Sequence, residues 1–244
     1  MTQEAKKTGD DLLDQQAIEP SEATLETAPA KELILDRWEL THEQFTTLID
    51  DNPSLRGVTL GYVAESKFHE MFLGHPDVTA VRKDDDHNRK RKGDRTFSYR
   101  GHEFIVEVKS LQTAMVKKLT DGTFFGKSQV DASDRREVTF KDDTKLATTC
   151  LLRGEFDILA VNCYAFENEW RFAFARNDQL PQNTYKKYTD AQKAALLPTL
   201  IPVTWPPQAP FSDEPFSLLD ALVREREAGK VPEVPEPPVK SVED

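Results

Sequence analysis

The chain has 244 residues, 31% of them charged, with a net charge of −11 and a pI near 5.0. That length accommodates one substantial domain and a small appendage, and no apolar run of about 18 residues or basic-then-apolar start marks a membrane span or signal peptide. Two cysteines, Cys150 and Cys163, are too few for a disulfide framework and fit a reducing compartment, so the expected location is cytoplasmic. The acidic excess sits in the flanks: residues 1–50 carry 4 Lys/Arg against 12 Asp/Glu, residues 181–244 carry 7 against 10, and the stretch between is balanced at 21 against 21. An acidic pI therefore does not exclude a nucleic-acid partner, because local charge sets the field at a site.

Residues 1–35 are polar and acidic and are expected to be disordered. Order begins near RWELTHEQFTTLIDDNP, where Thr41 and Gln44 have capping-box spacing ahead of a helix that ends at Asn52-Pro53. A second helix runs through SLRGVTLGYVAESKFHEMF to Gly74 and Pro76, with Gly57, Gly61, Glu65, Phe68 and Phe72 on one face. The glycines are expected to let this helix approach a sheet closely. Glu65 is the exception on that face, because an unpaired buried carboxylate is costly. It either pairs with an arginine at the edge or points into a site.

A short strand over Val78–Val81 leads into a charged loop ending in Arg89, Lys90, Arg91 and Lys92, a weak nucleic-acid patch by composition. GDRTFSYRGHEFIVEVKS, Gly93 to Ser110, alternates at period two on both sides of Arg100-Gly101, which predicts a hairpin with a two-residue turn. In that register Asp94 stands opposite Glu107, and Lys109 projects from the same face. Like charges directly opposite repel, so either a wet sheet face or a bound cation is needed to account for them. MVKKLTDGTFFGKSQVDASDRREVTF is read as a loop or short helix through Ser133 with a strand from about Glu137 to Phe140. Residues 144–153 fit helix or strand. Two β-rich runs follow at 156–164 and 170–175, the first apolar enough to be covered on both faces. Eleven of the fifteen prolines come after residue 180, which suggests an extension over 181–244 carrying one amphipathic helix at about 215–228 and a disordered tail.

A helix bearing Glu65, a strand starting at Asp94, a strand carrying VEVK at 106–109 and then mixed helix and strand resemble the PD-(D/E)xK nuclease superfamily over roughly residues 52–176. The resemblance implies an α/β, restriction-endonuclease-like αβββαβ core with a mixed central sheet, here spanning 36–180. Gly93 stands where the family's pattern has proline. The resemblance further implies metal-dependent phosphodiester hydrolysis, with double-stranded DNA as the favoured substrate. Asp94, Glu107, the Val108 carbonyl and Glu65 would hold Mg²⁺, with Mn²⁺ as a substitute. Lys109 would serve catalysis, and Gln129 looks like the polar residue that often follows the motif, with Gln112 competing for that role. Arg89 to Lys92, with Arg95, would contact nucleic acid. A homodimer, or association with other defence or repair subunits, is the expected assembly. A catalytically inert nuclease-like subunit is the alternative.

Other chemistries find less support. DHN at 86–88 lacks a ββα-metal context, the scattered histidines have no zinc-like spacing to a cysteine, and no GxxxxGK[ST] is present. The acids of RGEFD at 153–157 are expected to pair with arginine or cap a turn.

Overall fold

The computed structural model describes residues 32–83, 93–232 and 239. The expected disordered start and tail, and the basic run Arg89 to Lys92, lie largely or wholly outside them. Residues up to Leu48 belong to one compact unit and those from Ile49 onward to a second. The first holds the short helix α1 (Ile34–Arg37) and the start of α2 (His42–Asp51). Thr41 and Gln44 form the reciprocal capping pair: the Gln44 N–H donates to Thr41 Oγ1 at 3.2 Å and the Thr41 N–H to Gln44 Oε1 at 2.8 Å.

The second unit begins with α3 (Pro53–Phe72), followed by β1 (Val78–Arg82), β2 (Arg95–Tyr99) and β3 (His102–Ser110). The chain then forms β4 (Lys117–Lys118), β5 (Phe124–Gln129), β6 (Asp131–Thr139) and β7 (Lys145–Cys150) before returning as β8 (Ile158–Asn162) and β9 (Phe172–Arg176). It closes with α4 (Asp190–Ala195), β10 (Leu200–Trp205) and α5 (Pro215–Glu227). The central sheet has the order β1-β2-β3-β8-β9 and is mixed, with β3 and β8 parallel and the other pairs antiparallel. It is flanked by helices, which gives the α/β class expected.

Alternation along the strands sorts side chains onto two cores. Phe97, Tyr99, Phe104, Val106 and Val108 face α3 and α5, meeting Ala64, Phe68, Leu219 and Leu222. Leu159, Val161, Ala173 and Ala175 face the other way, onto a small sheet of order β10-β5-β4 that supplies Ile201 and Val203. Every residue of β8 and β9 is buried, as a strand pair covered on both faces requires.

Three features depart from the sequence reading. The crossover from β3 to the parallel strand β8 holds no α-helix, only a 3-10 turn at Thr113–Met115 and strands β4 to β7; residues 145–150 are strand because they pair with β6. The chain beyond 180 is not an extension of the domain: β10 pairs with β5, and α5 packs onto the helical face of the central sheet. Gly57 and Gly61 do not press against the sheet. A Cβ at either would meet nothing within 4 Å, because α3 buries only Ala64 and Phe68 toward its C-terminal half.

α5 is fixed at its C-terminal end by Arg226. That guanidinium donates to Asp157 Oδ1 at 2.5 Å and to the Glu103 carbonyl at 2.6 Å, and lies 4.3 Å from the centroid of the Phe104 ring. Asp157 in turn accepts from the Ile105 N–H at 2.8 Å, and Glu155 pairs with Arg136 while accepting from the Leu152 N–H. Both acids of RGEFD are thus spent on arginine and main chain, the role the sequence suggested.

Candidate active site

The site grows out of the β2–β3 hairpin. Arg95 pairs with Val106, Thr96 with Ile105 and Tyr99 with His102, the register of a two-residue turn. Arg100 and Gly101 both take positive φ, +48° and +85°, which twists the turn to match the strands. The left-handed arginine is tied down by Asp77 and Asp220 at 3.0 and 2.9 Å.

At the other end of the hairpin β3 outruns β2. The Asp94 N–H still donates to the Val106 carbonyl at 2.9 Å, and its Oδ2 accepts from the Val108 N–H at 2.7 Å. The Asp94 side chain thereby replaces the main-chain partner that β2 no longer offers. N–H and C=O of one residue in an extended strand point to the same side, so the Val108 carbonyl is directed at that same open edge. Gly93 makes the approach possible. Its φ is +79°, and a Cβ there would lie 2.3 Å from Ile105 Cγ2. Proline, fixed near φ −65°, is excluded at this position.

Asp94, Glu107 and Lys109 share the face opposite the helices. Lys109 Nζ lies 2.6 Å from Glu107 Oε1, and Glu107 is only 8% exposed. Burial, then Glu107 and more weakly Glu65, push the Asp94 carboxyl up to about 7, against the pull of Lys109 and of the Val108 N–H. For Lys109 burial alone would lower the pKa; Glu107 and Asp94 outweigh it, so the ammonium is held charged more tightly than usual. Asp131, which the sequence reading did not single out, adds to that hold.

Glu65 arrives from the helical side. Its Oε2 receives Arg95 Nη1 and Lys83 Nζ, each at 2.9 Å, and the same Arg95 nitrogen donates to the Asp94 carbonyl at 2.7 Å. Arg95 is 7% exposed and committed to these partners, so it braces the Asp94 turn from inside instead of presenting itself to a phosphate backbone. Gln129 and Gln112, rivals in the sequence, are bonded to each other, Gln112 Nε2 to Gln129 Oε1 at 2.5 Å. Among the described residues no group of three or more His, Cys, Asp or Glu side chains is set to hold a metal. The oxygen donors on hand are two carboxylates and one carbonyl. A hard divalent cation with a partly aqueous shell needs no more.

Because the native state holds the Asp94 proton more tightly than the unfolded chain, stability is lost as pH rises from about 4 through about 7, and the loss is complete above. Asp94→Asn keeps the acceptor for the Val108 N–H and removes the penalty. In EDTA its melting temperature should match the parent near pH 4 and exceed it by several degrees above pH 7, on the order of 1–3 kcal/mol. Equal melting curves at pH 8 would show that Asp94 carries no such strain.

No family model and no curated protein matches the chain. Among solved structures it is similar to a bacterial homing endonuclease, at 15% sequence identity and a TM-score of 0.31, over 70% of this chain and 95% of that one. A likeness that faint leaves the site to be read from its own geometry.

Proposed function

We propose that the chain is a metal-dependent nuclease hydrolysing phosphodiester bonds, a DNA endonuclease of restriction, defence or repair type. The observation that carries this reading is the buried apposition of Asp94 and Glu107 beside Lys109, at the open end of β3. A pure binding module has no use for two apposed carboxylates. Asp94, Glu107 and the Val108 carbonyl would hold Mg²⁺ or Mn²⁺, both of which favour oxygen donors. Bound there, the ion would lower the pKa of a water and neutralise charge on the phosphate. Lys109, kept cationic by its neighbours, orients the attacking water and offsets charge developing on the phosphate oxygens. Glu65 acts at one remove, fixing the main chain at Asp94 through Arg95. One such site cuts one strand, so double-strand cleavage calls for two copies of the chain.

A second reading, an inert nuclease-like fold serving a nucleic-acid-binding complex, draws support from Glu65 being spent on Arg95 and Lys83. Supercoiled plasmid, single-stranded DNA and RNA, each incubated with Mg²⁺, Mn²⁺ or EDTA, separate the two. Nicking or linearisation of plasmid with either metal and none in EDTA is the expected result. Binding without cleavage in any metal overturns the enzyme and leaves the inert subunit.

A further inference from the structure

α3 carries two apolar faces, and the sheet covers one of them. Ala64 and Phe68 are buried in the core beneath the helix, with Phe72 packed against the same cluster. Leu55, Val58, Tyr62 and Val63 follow the i, i+3, i+7, i+8 spacing of a second stripe, on the side turned away from the sheet. They are 38, 60, 49 and 38% exposed. Lys83 stands over one face of the Tyr62 ring, 4.7 Å from its centroid, and the ring is half exposed all the same. Every residue from Pro53 to Val58 is exposed. A helix at a surface needs one apolar stripe, and a helix apolar on both sides is one that is covered on both sides. A single residue, Asn52, joins α3 to the helix before it, fewer than the two to five with which two helices turn back on each other, so the connection supplies no hairpin partner. Gly57 and Gly61 belong to the same exposed half. Within one chain they weaken the helix and bring nothing close to it, since a Cβ at either would meet nothing within 4 Å.

The charge on this stretch selects its occupant. From Pro53 to Ala64 the one charged residue is Arg56, and its guanidinium donates to the Asp50 carbonyl at 3.2 Å, in a chain of which 31% is charged. A nucleic acid needs cations along its phosphates and finds only that engaged arginine. Two copies of a chain of net charge −11 repel each other over most of their surfaces, and they approach at least cost where neither presents charge. About a two-fold axis each residue type meets its own kind, so a patch near the axis has to be free of unpaired charge. The stripe on α3 meets that condition.

We propose that this stripe is the contact between two copies of the chain, α3 against α3 about a two-fold axis, with Gly57 and Gly61 leaving room for the partner helix beside it. The contact stands on the apolar stripe and its lack of charge; its purpose rests on the nuclease reading, under which double-strand cleavage calls for two sites. Glu65 comes two residues after Val63 and reaches the main chain of Asp94 through Arg95, so pairing the α3 helices fixes each site relative to the other.

The test is the mass of the full chain by light scattering on a size-exclusion column, over a dilution series, beside plasmid cleavage in Mg²⁺. The parent should run at twice 27.8 kDa. Leu55→Glu/Val58→Glu should run as a single copy, its dimer weakened by about a hundredfold or more, and should nick supercoiled plasmid without linearising it. Met115→Glu/Leu119→Glu, with the same change in net charge at exposed apolar positions elsewhere, should remain a dimer. Val58→Ala, a substitution that an exposed helix position accepts without unfolding, should weaken the dimer about tenfold. A parent that is a single copy at every concentration overturns the proposal, and if it floats with phosphatidylcholine vesicles the occupant is a lipid surface instead. A dimer that Leu55→Glu/Val58→Glu and Val58→Ala leave intact, or that Met115→Glu/Leu119→Glu weakens equally, overturns this face. A parental dimer that both Leu55→Glu/Val58→Glu and Val58→Ala weaken, but that cuts no DNA in any metal, overturns the nuclease reading and upholds the contact.

Discussion

Lys109→Met should abolish cleavage, lowering turnover by about a thousandfold, while DNA binding in Mg²⁺ stays near the parental level. The substitution keeps the length and apolar stem of the side chain but removes the ammonium that Glu107 holds at 2.6 Å and that, on the proposed nuclease reading, would face the reacting phosphate. A group whose charge matters only as the phosphate becomes more negative acts on the transition state and not on ground-state binding, so the loss should appear in kcat and not in KM. The same change has a structural signature. Without Lys109, Asp94 and Glu107 face each other with no counter-charge between them, so the variant should melt lower than the parent in EDTA and recover more than the parent does when Mg²⁺ is added. Asp94→Asn gives the complementary pattern, with higher stability in EDTA and weakened response to Mg²⁺. If Lys109→Met cuts plasmid at the parental rate, the charged face of the hairpin is structural and the nuclease assignment loses its mechanism.

What the sequence made legible is what neighbouring residues determine. The hairpin register follows from alternation over a few residues on either side of Arg100-Gly101, and the apposition of Asp94 with Glu107 follows from the register. The double coverage of β8 is written in its unbroken apolar run. The crossover is not legible because its strands are defined by distant partners: β5 pairs with β10, more than seventy residues away, and nothing local announces that pairing. The prolines after 180 misled for a related reason. Pro202 sits on β10, an edge strand where a missing N–H is tolerated, and Pro215 opens α5 at a position where the N–H has no helical partner anyway. Composition registered them as breakers of structure when they punctuate it. At the site, the place of Glu65 on the apolar face of α3 is legible and an arginine partner is one of the two readings it allows, but that the partner is the buried Arg95 is not, because the two are thirty residues apart and meet only through packing. Asp131 carried no local signal at all.

Removing Arg226 should cause a large loss of stability. Its side chain is 2% exposed and that of Asp157 4%, so Arg226→Met removes the guanidinium from a carboxylate that stays in the core beside the Ile105 N–H. Breaking a buried ion pair from one side costs about 3–5 kcal/mol, which corresponds to a fall of roughly 10 °C in melting temperature for a domain of this size. The Glu103 carbonyl and the face of Phe104 lose their partner at the same time, so α5 should loosen from the sheet and its amides should exchange faster than those of β8. Adding Asp157→Asn removes the stranded charge while keeping an acceptor for Ile105. The double variant should therefore regain part of what Arg226→Met lost, with a coupling energy of about 1–3 kcal/mol in urea unfolding. Because α5 covers the face of the sheet opposite Glu107 and Lys109, the double variant should also recover cleavage along with stability. Strict additivity of the two substitutions would mean that Arg226 and Asp157 do not meet in the folded chain, and that the clamp on α5 lies elsewhere.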